Sequence, residues 1–338
     1  MPGPPVPPTP KIPVPASDLA ATQTGERILL RWTLPRLNTD GTRLPEPPKH
    51  EVYCAFFEEA NPSPESFASS AELVQALSPE SIQVGLQDST VVFEDVLGAD
   101  ALRKNAGRFG VCGVKALSAR GKDAGFSNLA AVRVYPVPEP LAQIESRVTE
   151  PAIELRWTPP ARTTSGTPLA AIAGYEIYRS ETGEEASFVS QGRAATPLFE
   201  DKQFRFGGRY FYRVRTLAAY GPDTVESEDS ATVEVAPHDV FAPGAPANLI
   251  VVPGEGRADL TWDASPAADL AGYFVYRSRT AGGGYQRLTP QALVVQSLTD
   301  TQVEAGVSYY YVVTAVDAAD NESGYSNEVA VKPTARNN

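Results

Sequence analysis

AIELRWTPP, residues 152–160, alternates Ile153, Leu155 and Trp157 with polar neighbours and then stops at a proline pair. Period-two alternation marks a strand with one buried face. Proline has no N–H to give to a ladder, so it ends the strand. The stretch has two counterparts. RILLRWTLP (27–35) aligns Ile28, Leu30 and Trp32 on one face, and RADLTWDASP (257–266) aligns Ala258, Leu260 and Trp262. The chain holds three tryptophans, and each sits in this setting. Such recurrence is read as a repeated structural unit before any search for catalytic residues.

Working outward, a second strand follows each tryptophan: HEVYCAF (50–56), GYEIYRS (174–180) and GYFVYRS (272–278). A long alternating strand comes later, as GVCGVKALSARG (110–121), YFYRVRTLAAYG (210–221) and YYYVVTAVDAAD (309–320). GFSNLAAVRV (125–134), SEDSATVEV (227–235) and GYSNEVAVKP (324–333) close the units. Proline-rich joints, YPVPEP (135–140) and APHDVFAPGAP (236–246), lie between them and predict short, stiff connections.

The boundaries that follow are a proline-rich tail at 1–12 and three units at 13–135, 136–237 and 238–335. The first unit carries an insertion over 61–90. Within it SAELVQAL (70–77) predicts two helical turns, with Ser69 and Glu72 spaced as a capping box. GADALRKNAG (98–107) predicts another helical turn.

Composition agrees with many short strands. Thirty-one prolines and 26 glycines make about a sixth of the 338 residues, and 42% are hydrophobic. No apolar run approaches the ~20 residues of a membrane-spanning helix. The net charge of −12 and the lack of a basic stripe argue against nucleic acid and against an anionic lipid surface. His50 and His238 have no companion ligands at metal spacing and read as surface or turn residues. No GxSxG, HExxH or Walker pattern occurs, and the paired carboxylates Glu58–Glu59 and Glu184–Glu185 fall in turns rather than across a cleft. No catalytic residue, cofactor or metal is expected.

In the order of its motifs the chain resembles tandem fibronectin type III domains: tryptophan on strand B, GYEIYR or GYFVYR on strand C, YFYRVRTLAAYG on strand F and a YSNEV-type strand G. The resemblance spans residues 13–333 and implies an all-β chain of three sandwiches, each of about 100 residues and some seven strands. It makes Trp32, Trp157, Trp262, Tyr210 and Tyr309 core anchors. The first unit departs from the pattern, with Gly110 at the strand-F tyrosine position and Phe109 beside it to fill the gap. In this fold strands C and F are antiparallel neighbours, and correspondence of the units sets Cys54 at the Arg179 position and Cys112 at Tyr212. The two cysteines are then close enough for a disulfide; two buried reduced thiols are the other reading.

The F–G turns are where relatives of this fold present recognition sequences. SARGKDAG (118–125) offers Arg120 and Lys122, and YGPDTVESED (220–229) offers Tyr220 and Asp223. Acids here and in DAADNESGY (317–325) match no calcium loop and read as solvated surface. GPPVPP (3–8) resembles the stretch after the lipidated cysteine of some bacterial lipoproteins, which implies a possible lipid anchor in a longer precursor.

Taken together these readings point to a non-enzymatic, extracytoplasmic spacer with protein-interaction, adhesion-type surfaces, located at the cell surface, in the periplasm or secreted. Three sandwiches of ~25–35 Å would reach on the order of 100 Å end to end. The partner would be a protein or a surface polysaccharide. The alternative is an accessory carbohydrate-binding region of a polysaccharide-degrading system, with Tyr220, Tyr285 and Phe67 as candidate exposed aromatics; an ordinary turn or packing role is the other reading of each.

Overall fold

The computed structural model describes residues 11–84, 86–169 and 171–335. The proline-rich tail, including GPPVPP, lies mainly outside the described residues. The first sandwich comprises β1 (Ala20–Thr24), β2 (Arg27–Thr33), β3 (Lys49–Phe57), α1 (Pro64–Ser70), β4 (Glu72–Leu77), α2 (Pro79–Val84), β5 (Leu86–Gln87), β6 (Thr90–Val96), α3 (Gly98–Lys104), β7 (Phe109–Leu117) and β8 (Ala130–Arg133). The second holds β9 (Ile144–Val148), β10 (Ile153–Trp157), β11 (Ile172–Ser180), β12 (Val189–Ala194), β13 (Leu198–Asp201), β14 (Tyr210–Tyr220), β15 (Asp223–Glu226) and β16 (Val233–Val235). The third holds β17 (Ile250–Gly254), β18 (Arg257–Thr261), β19 (Leu270–Ser278), β20 (Gln286–Arg287), β21 (Ser297–Asp300), β22 (Tyr309–Asp317) and β23 (Val329–Val331).

Each sandwich pairs two antiparallel sheets. Their strand orders are β1-β2-β6-β5 and β4-β3-β7-β8, then β9-β10-β13 and β12-β11-β14-β15 with β16 also on β14, then β17-β18-β21 and β20-β19-β22-β23. Three times over, the first, second and fifth main strands form one layer while the third, fourth, sixth and seventh form the other. That is the fibronectin type III-like arrangement, and the chain is all-β apart from short helices.

The alternation seen in the sequence decides which side chains lie between the layers. Ile28, Leu30 and Trp32 are at most 1% exposed, and Ile153, Leu155, Trp157, Ala258, Leu260 and Trp262 are also buried. Trp157 meets Tyr175 edge-on at 5.0 Å, and Trp262 meets Tyr273 at 5.5 Å. In the first sandwich the equivalent partner is His50, 5.7 Å from Trp32. His50 is fully buried, a correction to its reading as a surface or turn residue; His238 is exposed.

The insertion folds differently from the expectation. Ser63 caps α1, accepting from Ser66 N, and Pro64 starts the helix where its missing N–H costs nothing. Residues 72–77 form strand β4, not a helix, because the open edge of β3 offers their backbone a ladder from His50↔Leu77 to Cys54↔Glu72. Tertiary pairing overrides helix propensity there. Of the two readings of Phe67, exposed aromatic or packing residue, the second holds: it is fully buried against Phe126 at 5.1 Å. Gly113 makes room for it: a Cβ there would lie 3.1 Å from the Phe67 ring. The 98–107 expectation holds as α3.

The chain separates into two compact units, one of residues 1–203 with 209–235 and one of 204–208 with 236–338. The first unit contains the first two sandwiches and the joint between them. Tyr135 and Tyr220 stack there with centroids 4.5 Å apart and planes within 7°. Tyr220 Oη donates to Pro136 O at 2.7 Å, Tyr135 Oη donates to Asp223 Oδ2 at 3.0 Å, and Arg27 pairs with Glu228 at 2.9 Å. Val225, from the β14–β15 hairpin, is buried in the first sandwich's own core cluster. Gly25, at φ +54°, lies under Glu228, whose carboxylate would be 2.0 Å from a Cβ.

Candidate functional site

The second and third sandwiches share a buried polar cluster that sequence inspection missed. Arg179 Nη1 donates to Asp201 Oδ2 at 2.8 Å, and Tyr212 Oη donates to the same oxygen at 2.7 Å. Arg277, Asp300 and Tyr311 repeat this at 2.7 and 2.8 Å. Burial would raise the Asp201 carboxyl, but the Arg179 and Tyr212 hydrogen bonds outweigh it and hold its pKa below the usual range. Burial, reinforced by the carboxylate, pushes the Tyr212 phenol up. The arginines also cover Tyr210 and Tyr309, the expected anchors, both buried. The cluster ties strands of the two layers together and is structural.

In the first sandwich the same positions hold a disulfide. Cys54 lies directly opposite Cys112, just as Arg179 lies opposite Tyr212, and the sulfurs are joined with Cα atoms 4.2 Å apart. Asp95 takes the place of Asp201, since Ile28↔Asp95 matches Ile153↔Asp201. Without the arginine and the phenol, burial alone acts on Asp95 and raises its pKa. Gly110 holds the Tyr210 position, and its space is filled by Ile28, Phe56 and Val134. Phe109 does not fill it: that ring lies under the Arg133 guanidinium at 4.6 Å.

The predicted turn residues separate into two groups. Arg120 and Lys122 are exposed in a turn closed by Ser118 N to Lys122 O at 2.8 Å. Tyr220 and Asp223 are occupied in the joint described above, which removes Tyr220 as an exposed aromatic. At the third sandwich's F–G turn, Asp317 is buried rather than solvated, and its carboxylate accepts from Ala319 N, Asn321 N and Asn321 Nδ2. Asp239 and Asp269, from two other segments, bring their carboxylates within 4.8 Å of it. Oxygens so placed suit a hard cation, although those of Asp317 already organise the turn.

The outward face of the strand C–F sheet differs between the second and third sandwiches. In the second sandwich Tyr178 opposes Arg213 and Glu176 opposes Arg215. Arg215 lies 4.8 Å over the Tyr178 ring and pairs with Asp229 and Glu226, Arg213 lies 4.0 Å over Phe188, and Arg193 pairs with Glu176. Arg213 also pairs with Glu185 at 2.7 Å, so each of these arginines has a carboxylate partner. In the third sandwich the matching positions are Tyr276↔Val312 and Phe274↔Thr314. Both arginines and the glutamate are replaced by uncharged groups. Tyr325, 51% exposed, joins from the loop before β23, with its ring 5.5 Å from Tyr276 and 5.1 Å from Tyr285. Tyr285 was legible as a candidate from sequence; Tyr276 and Tyr325 were not.

No family model matches the chain. Over 95 residues, 28% of this chain, it is 38% identical to an amylopullulanase of Thermoanaerobacterium thermosulfurigenes and 40% identical to one of Thermoanaerobacter thermohydrosulfuricus. The chain spans only 5% and 6% of those relatives' lengths. Among solved structures, a Fn3-like protein from Clostridium thermocellum is 31% identical over 29% of this chain and all of its own, with a TM-score of 0.25. The FN1–FN3 domains of chicken CNTN1 cover 95% of this chain and all of their own at 11% identity and a TM-score of 0.29. No helix among the described residues is long and apolar enough to cross a membrane.

Proposed function

We propose that this chain is a non-catalytic, extracytoplasmic accessory region of a bacterial glucan-degrading system, spacing neighbouring parts and offering surfaces for protein or polysaccharide contact. The match to two amylopullulanases carries this reading, because it covers a domain-sized segment and only a small fraction of each enzyme. Repeated sandwiches suit the role. Their residues are spent on packed cores and on a bonded joint between the first two sandwiches, which fixes that spacing without chemistry.

Two measurements test it. Fractionation of the source cells with an antibody to this chain should place it outside the cytoplasmic membrane, together with pullulan- or amylose-hydrolysing activity. The purified chain itself should release no reducing ends from pullulan or amylose. Cytoplasmic location, or hydrolysis proportional to the amount of purified chain, would overturn the reading.

A further inference from the structure

Three tyrosines of different strands and loops converge on the outward face of the third sandwich. The phenols of two of them, Tyr276 and Tyr285, are anchored by hydrogen bonds. Tyr276 Oη donates to Glu322 Oε1 at 2.5 Å, Thr314 Oγ1 donates to the same oxygen at 2.6 Å, and Tyr285 Oη donates to Glu328 Oε2. Gly282 N also donates to Glu328 Oε2, at 2.8 Å. Burial first and then the Glu322 bond push the Tyr276 phenol up to about 12. The Glu328 bond pushes Tyr285 to about 12, so both remain donors at neutral pH. Beside them, the Arg287 guanidinium lies 3.5 Å over Phe274 and is held by the carbonyls of Thr289 and Pro290.

The result is an aromatic surface of two anchored rings with Tyr325 packed against both, and with hydrogen-bond acceptors at its edge. Glu322 Oε2 and Glu328 Oε1 accept no side-chain or backbone hydrogen bond among the described residues, and both side chains are exposed. Pyranose rings match this pattern, with an apolar C–H face to lie on an aromatic ring and equatorial hydroxyls to donate to carboxylates. Against the single Arg287 guanidinium, two flanking carboxylates on a chain of net charge −12 leave the face net negative and repel uronic acids and sulfated sugars, so the ligand that fits is uncharged. Fixing the Tyr276 and Tyr285 rings beforehand reduces the ordering cost of binding.

We propose that Tyr276, Tyr285 and Tyr325, with Glu322 and Glu328, form a binding platform for a neutral polysaccharide. The second sandwich cannot serve in this way, because its equivalent face is covered by its own arginine–carboxylate pairs. The choice of an α-glucan as the probe rests on the accessory-region reading above; the platform rests on the geometry.

The test is native affinity electrophoresis of the full chain in gels containing pullulan, soluble amylose, a neutral β-glucan or polygalacturonate. Retardation is expected in at least one neutral glucan and not in polygalacturonate. Tyr325→Ala should weaken it about tenfold or more, and Glu328→Gln should weaken it less. Circular dichroism and thermal unfolding confirm that both variants fold. Equal retardation of the wild type and Tyr325→Ala would sink the platform while leaving the accessory reading intact. Retardation by no neutral glucan also sinks it, and cell fractionation then judges the accessory reading separately. Sedimentation showing a dimer that Tyr325→Ala dissociates would overturn it in favour of contact between copies.

Discussion

One buried imidazole makes the first sandwich sensitive to acidification from about pH 7 to about pH 4.5. His50 is fully buried, and its Nδ1 donates to Pro48 O at 3.0 Å, which leaves Nε2 as a lone pair with no partner. Protonating Nε2 would place a charged donor beside the Trp32 ring with nothing to accept it. Burial therefore lowers the His50 pKa from 6.5 to about 4, against the smaller opposing effect of the Pro48 bond. Below about 6.5 the unfolded chain takes up a proton that the native state refuses, so stability falls as pH falls and the loss is complete near the folded value. The gap from 6.5 to about 4, at about 1.36 kcal/mol per unit, corresponds to about 3 kcal/mol. Asp95 works in the opposite direction, because its raised pKa lets the native state bind a proton first as the pH drops.

The assay is urea-dependent hydrogen exchange, read by mass spectrometry on peptides from β2 and β7, at both pH values and corrected for intrinsic rates. His50→Leu serves as the comparison. It loses the Pro48 bond at every pH, a constant cost of about 1 kcal/mol, but removes the titration. The wild type should lose about 2–3 kcal/mol more than His50→Leu between the two pH values. Equal losses would refute the argument that the imidazole stays neutral in the core.

Replacing Cys54 and Cys112 by alanine should destabilise the first sandwich by about 4 kcal/mol, the loop-closure value for a bond spanning 58 residues; urea melts with and without reductant on the wild type should show a similar gap. Trp157→Ala should cost ~3–5 kcal/mol and unfold the second sandwich at a lower urea concentration, visible as early exchange in β10 and β14. Asp300→Asn leaves the Arg277 guanidinium facing a neutral partner and should cost on the order of 3 kcal/mol in the third sandwich. Tyr220→Ala removes the stacked pair and the Pro136 bond together. It should let the first two sandwiches exchange independently at protein concentrations and temperatures where the wild type opens both together; unchanged coupling would show that the joint contributes nothing.

Read alone, the chain declared its cores. Alternation around Trp32, Trp157 and Trp262 is a local property, because successive strand side chains point to opposite faces, and burying one face selects the register. The repeated strand order followed from the same signal, and the closeness of Cys54 and Cys112 followed from matching the units. Features that depend on what lies across a sheet were not visible. Residues 72–77 became a strand because β3 had an unpaired edge, and His50 entered the core because it occupies the register position of Tyr175. The Arg–Asp–Tyr clusters join residues from three strands, and the acidic trio of Asp239, Asp269 and Asp317 joins three segments. Tyr220 looked exposed and proved to be joint packing, while Tyr325 became conspicuous only once Tyr276 and Tyr285 stood beside it. Periodicity reveals which face a residue takes; which residue it meets there depends on strand pairing and loop closure, and these exist only in the folded chain.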